Sequence, residues 1–162
     1  MSPSATELNP YAGFLGDAPP HDVLEMTAVT IARLIRNSEP EQLTRAPAPG
    51  KWSIRDILCH LADTEITFAF RLRQTISEAH HVIQPFDQES WARPYGTLDA
   101  RDALDAFTAI RRWNLLFIRA VGTAAESKPV RHPERGEMTF RTIIETMGGH
   151  DVNHLRQIES LV

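Results

Sequence analysis

The chain has 162 residues, with 17 Lys and Arg against 21 Asp and Glu, and its length suits one domain with a real core. A net charge of −4 without any Lys/Arg block argues against a nucleic-acid-binding surface as its main role. No apolar run is long enough to cross a membrane, and the one cysteine, Cys59, excludes an internal disulfide and suits a reducing cytoplasm.

Residues 1–20 lack the basic region and apolar run of a signal peptide. Residues 1–19 are expected to be an extended lead-in to a single domain spanning 1–162. Prolines then divide the chain, leaving Pro-free runs at 21–39, 50–84, 95–128 and 134–162. Proline is excluded from helix interiors, so each run is expected to hold one helix. In the first, Leu24, Ala28, Ile31 and Ile35 form a stripe at helical spacing.

The second run carries Ile54, Ile57, Leu58, Leu61, Phe68 and Leu72 on one face. Ser53 followed by Asp56 is a capping-box pattern, with Trp52 placed as a staple residue. The connection from about 79 to 96 is long and holds Phe86, Trp91 and Tyr95, so it is expected to pack over the bundle. In the third run Ala103, Phe107, Ile110, Phe117 and Val121 align. Thr97 and Asp99 lie at its start, and Gly122 is placed to end it. Arg111 and Asn114 border this stripe. An interhelical ion pair is the preferred reading for Arg111 over a carboxylate anchor for substrate.

The fourth run follows the turn-like His132-Pro133-Glu134-Arg135-Gly136, with Thr139 placed as its cap. Phe140, Ile143, Met147, Ile158 and Leu161 give its apolar stripe, and His150 and His154 occupy two positions of the same stripe. Residues four apart share a helix face, so both imidazoles point at the core. No segment alternates with a period of two. The fold class is therefore all-α, a four-helix bundle with a long connection between helices 2 and 3.

Two buried imidazoles need partners, and neutral imidazole is a common ligand of zinc, nickel, copper and iron. His60, on the core-facing side of the second helix, is the best third ligand. His80 and His81 lie near a helix C-terminus, His21 near an N-terminus and His132 in a turn. His150-Asp151-Val152-Asn153-His154 also approaches the H-E-x-x-H of metalloproteases. Only eight residues follow it and none is His, which argues against a peptidase. Gly148-Gly149 either leaves room beside a metal or kinks the helix. Trp52, Trp91 and Tyr95 either line a pocket mouth or are structural. Cys59 points about 100° from His60 and reads as a buried, inert thiol.

Trp52-Ser53-Ile54 leading to His60-Leu61-Ala62-Asp63, the turn Pro133 to Thr139, and His150-Asp151-x-Asn153-His154 with Gln157-Ile158 resemble the DinB-like (DinB/YfiT) superfamily. The resemblance spans about residues 20 to 160. It implies an up-down-down-up four-helix bundle, often a homodimer, holding zinc or nickel on three histidines, here His60, His150 and His154. Relatives of this kind include transferases that use a low-molecular-weight thiol and proteins labelled metal-dependent hydrolases. The resemblance thus implies a metal-dependent enzyme acting on a small molecule, with Asp63 and Asp151 as a base or as partners orienting the histidines. A non-catalytic metal- or ligand-binding bundle is the alternative.

Overall fold

The computed structural model describes residues 8–162. The elements run α1 (Ala12–Leu15), α2 (Pro20–Leu34), α3 (Pro40–Thr44), α4 (Ile54–Ser77), α5 (Gln88–Ala92), α6 (Ala100–Val121), β1 (Pro129–His132), β2 (Gly136–Thr139) and α7 (Phe140–Glu159). The long helices α4, α6 and α7 each fall within one Pro-free run. α2 fills the first run but starts one residue earlier on Pro20, at the first-turn position that tolerates proline, and the four together form the bundle. The lead-in is not extended throughout: residues 12–15 make one helical turn that packs on α7. Residues 1–7 lie outside the described residues.

Local chemistry fixes the ends of the helices. Ser53 Oγ accepts from the Asp56 amide while Asp56 Oδ2 accepts from the Ser53 amide, closing the capping box on α4. Thr139 caps α7 through the Thr142 amide. Asp99 caps α6, accepting from Arg101 at 2.7 Å and Asp102 at 3.1 Å. Carboxylates are favoured there because they meet unpaired amides and the positive end of the helix dipole. Gly122 ends α6 with φ of 71°, a conformation that other residues adopt at a steric cost.

Side-chain pairs give the helix directions. Arg55 reaches the carbonyl of Gly96 at the start of α6, Glu65 pairs with Arg111, and Arg73 lies over Phe117. Both numbers rise together, so α4 and α6 run parallel. Arg101 donates to Ser38 O just past α2, while Arg119 pairs with Glu25 near its start, so α2 opposes α6. Lys128, ahead of α7, reaches the carbonyl of Ile76 at the end of α4, so α7 opposes α4. The order is up-down-down-up. Two consecutive parallel helices need a return path along a helix of 24 residues, roughly 36 Å at 1.5 Å per residue. That length explains the long connection before α6. It is ordered by α5, by a 3₁₀ turn at Tyr95–Thr97 and by Tyr95, which is buried against the core.

One element departs from the all-helical expectation. β1 and β2 form an antiparallel hairpin in which Val130 faces Met138 and His132 faces Gly136. Beside it the Ile83 amide donates to Arg131 O and the Arg131 amide donates to His81 O. The strands have four residues each, too short for a two-residue alternation to stand out. Val130 and Met138 plug the bundle's end against Phe68, Leu72, Phe140 and Ile143.

Candidate metal centre

α4 carries His60 and α7 carries His150 and His154, and the antiparallel packing of these helices brings the three rings together. The Nε2 atoms of His60 and His150 lie 2.9 Å apart, and those of His154 and His150 3.1 Å apart. All three histidines are buried. Among the described residues they form the one group whose ligand atoms could jointly hold a metal ion, all within 4.8 Å of one another. The donors of a tetrahedral zinc site stand roughly 3.3 Å apart, for bonds of about 2.0–2.1 Å. The His60–His150 and His150–His154 pairs are already within a few tenths of an ångström of that spacing.

The hydrogen-bond inventory supports the same fit. A neutral imidazole has one donor and one acceptor nitrogen. His150 Nε2 faces two other Nε2 atoms at once and can pair fully with only one. His60 Nδ1 is buried and has no partner among the described residues. Polar atoms left unpaired in a core are costly, so a divalent cation accepting all three Nε2 lone pairs would resolve the Nε2 contacts, and would leave His60 Nδ1 as an N–H donor. Gln157 Oε1 accepts from His154 Nδ1 at 2.9 Å, which leaves Nε2 of His154 as the lone-pair nitrogen.

Electrostatics keep the ligands in the metal-binding form. Burial, and then His154, hold His60 down to about 3. His150 lies well below the ordinary histidine range, first from burial and then from His154, His60 and Arg111. Burial also lowers His154, against the opposing pull of Gln157 and Asp151. All three rings are neutral at pH 7, so no proton has to leave before a metal binds.

Aromatic rings surround the triad. Trp52 lies 4.8 Å from His60 and stacks near His154, while Tyr11 and Phe68 meet His150 edge-on. A cleft of about 620 Å³ opens beside it, lined by His60 and His154 together with Tyr11, Lys51, Trp52, Asn153 and Gln157 among others. No Asp or Glu is found among the described residues lining this cleft.

Asp151 and Asp63, expected as a base or as partners orienting the histidines, do not line the cleft. Asp151 turns away from the cleft, and both its oxygens accept from Arg111, at 2.6 and 3.1 Å. Asp63 accepts from the Tyr95 hydroxyl at 2.7 Å. Arg111 and Asn114 do not border the α6 stripe but lie inside it, fully buried. Burial works against the Arg111 charge, and Asp151 and Glu65 outweigh it, raising its pKa. Arg111 is thus an interhelical ion pair joining α4, α6 and α7. Cys59 is buried and pushed up to about 11, by burial first and by Asp56 next, as suits an inert thiol.

Sequence reasoning missed Glu65 and Tyr11. Glu65 continues the Leu61–Phe68–Leu72 stripe of α4, and a charge at a core position calls for a buried partner. Tyr11 was signalled only indirectly, by Gly148-Gly149. A Cβ on Gly149 would stand 2.4 Å from the Tyr11 carbonyl oxygen, and one on Gly148 would stand 3.1 Å from Leu15. The two glycines admit the N-terminal segment rather than open space at the metal.

The comparisons agree with this architecture. A sequence profile described as the DinB superfamily matches residues 24–158. An Oceanobacillus iheyensis protein named "Putative metal-dependent hydrolase" is 31% identical over 137 residues, covering 81% of this chain and 79% of its own. A Bacillus mycoides protein with the same description is 28% identical over 134 residues, covering 81% of this chain and 76% of its own. The structure of YfiT from Bacillus subtilis, described as a "probable metal-dependent hydrolase with an unusual four-helix bundle topology", superposes with a TM-score of 0.80. It is 20% identical and covers 88% of this chain and 83% of its own, a likeness of fold. With its profile match across all four long helices, the chain belongs to the DinB superfamily.

Proposed function

We propose that this protein binds one divalent metal, zinc or nickel, through Nε2 of His60, His150 and His154, and is a metal-dependent enzyme acting on a small molecule. The observation that carries the reading is the convergence of three neutral imidazole nitrogens beside an open cleft. A closed shell of four protein ligands would suit a structural metal, whereas three ligands leave a position for water or substrate. When bound, the metal supplies a Lewis acid that lowers the pKa of a coordinated water or thiol.

The chain's own residues do the rest. Gln157 holds the His154 ring through Nδ1. Arg111 clamps the helix turn that carries His150 by gripping Asp151. Trp52 and Tyr11 limit water around the rings. Asp63 and Asp151 act as orienting groups at one remove from the reacting atoms.

Two reactions fit this centre. Hydrolysis is favoured by the names that the relatives carry. Transfer of a low-molecular-weight thiol is favoured by the cleft lining. A hydrolase commonly uses a carboxylate to handle the proton of its water. A thiol has only to lose its own proton on binding, and the cleft offers no carboxylate among its described lining residues.

The test is a panel of aryl esters, phosphate esters, and thiol-plus-electrophile pairs, run with zinc- or nickel-loaded protein and with the His150→Ala variant. The reading expects metal-dependent turnover in one class that disappears in the variant. Equal rates with and without metal would contradict it.

A further inference from the structure

We propose that Tyr11, on the segment ahead of the bundle, is a positioning residue of the metal centre, clamping the His150 imidazole in the orientation that joins the triad. The inference rests on the metal reading above and goes beyond it, since the family match begins at residue 24 and leaves Tyr11 outside.

The Tyr11 ring meets the His150 ring edge-on, with centroids 5.1 Å apart and planes at 90°. His150 is the central member of the triad, within 3.1 Å of both other Nε2 atoms. A ring held edge-on by an aromatic neighbour loses freedom about its side-chain torsions, which favours binding by removing that cost from the metal-bound state. Tyr11 also lines the cleft alongside His60 and His154.

The backbone beneath Tyr11 is seated rather than draped. Its amide donates to the side chain of buried Asn9 at 3.0 Å, and its carbonyl accepts from Phe14 and Leu15 at 3.0 and 3.2 Å. Leu15 is buried, and Arg156 of α7 lies over the Phe14 ring. This seat exists only because α7 has no side chain at Gly149. A Cβ there would stand 2.4, 2.7 and 2.9 Å from the Tyr11 O, Cβ and C atoms, two of them backbone. Gly148 does the same beside Leu15 and Pro20. Two adjacent glycines weaken a helix relative to alanines. Their position, one and two residues before the central ligand, places the N-terminal segment directly against it.

The test uses full-length protein and cobalt(II) as the probe, read by visible absorption during titration. Wild type and Tyr11→Phe are expected to share one dissociation constant within about twofold and one ligand-field spectrum, because the ring is kept. Tyr11→Ala is expected to weaken cobalt binding about ten- to hundredfold, the range for lost ligand-orienting contacts, and to alter the spectrum. Gly149→Ala, which displaces the Tyr11 backbone while leaving the ring chemistry intact, is expected to do the same and covers the case in which Tyr11→Ala fails to fold. Wild-type affinity and spectrum in a folded Tyr11→Ala would overturn the proposal, as would a Tyr11→Phe variant as weak as Tyr11→Ala. A wild-type protein that develops no cobalt bands would overturn the metal reading itself, and this inference with it.

Discussion

Replacing Arg111 with Met tests the buried ion network that fixes α7 against α4 and α6. Arg111 is 3% exposed, and Glu65 and Asp151 are each 1% exposed. Its guanidinium donates to Glu65 at 3.0 and 2.8 Å, to Asp151 at 2.6 and 3.1 Å, and to Leu24 O at 3.1 Å. Methionine fills much of the volume and returns none of these bonds, so two buried carboxylates lose their cation together. Breaking one buried pair by removing a partner costs about 3–5 kcal/mol. For a 162-residue chain, about 1 kcal/mol corresponds to roughly 3 °C in Tm, so a fall of about 9–15 °C is expected. The assay is thermal unfolding by circular dichroism on metal-free protein at pH 7.5. The triple variant Arg111→Met, Glu65→Leu and Asp151→Leu is expected to recover most of the loss, since an apolar replacement leaves no buried charge. A Tm within about 3 °C of wild type for Arg111→Met alone would refute the reasoning.

Gly149→Ala would normally stabilise a helix by about 1 kcal/mol, but here overpacking against Tyr11 costs about 1–3 kcal/mol, so calorimetry should show a lower Tm rather than a higher one. Metal-free protein should lose stability as pH falls from about 6.5 towards 3. His60 is held neutral in the folded state down to about 3 and takes up its proton near 6.5 once unfolded, so lowering pH favours the unfolded chain. His60 alone contributes about 2 kcal/mol to that loss between pH 7.5 and pH 5, readable as a lower urea midpoint, whereas a flat profile would show that the ring titrates normally in the fold. Ser53→Ala removes the cap on α4 and is expected to cost about 1 kcal/mol in urea unfolding while leaving metal stoichiometry unchanged.

The bundle was legible because proline positions and apolar stripes both report helix physics directly. Ser53, Thr139 and Gly122 could be placed from residue type alone, since each meets a defined need at a helix end. The triad was legible for a related reason: His60, His150 and His154 sit where the pattern calls for Leu or Ile. The same logic was not carried through for Arg111, Asn114 and Glu65. A hydrophobic stripe is scored on apolar residues, so a stripe with polar members at its centre reads as a displaced one, with Arg111 at its border. Asp63 stood out as one turn beyond His60 and Asp151 as adjacent to His150, positions that suit a base or an orienting partner alike. On a helix, adjacent residues point about 100° apart, and Asp151 meets Arg111 of α6 while His150 meets His60 and His154. The hairpin was hidden by its brevity, and Tyr11 by the distance along the chain between it and the glycines that admit it.

The most direct test of the metal centre is the metal content of tag-free protein after incubation with zinc or nickel and exhaustive dialysis, measured by inductively coupled plasma mass spectrometry for wild type and His154→Ala. The three-histidine site predicts about one ion per chain in the wild type and a large loss in a variant that still folds. Wild-type protein that retains no ion, or a His154→Ala variant that retains as much as wild type, would contradict it.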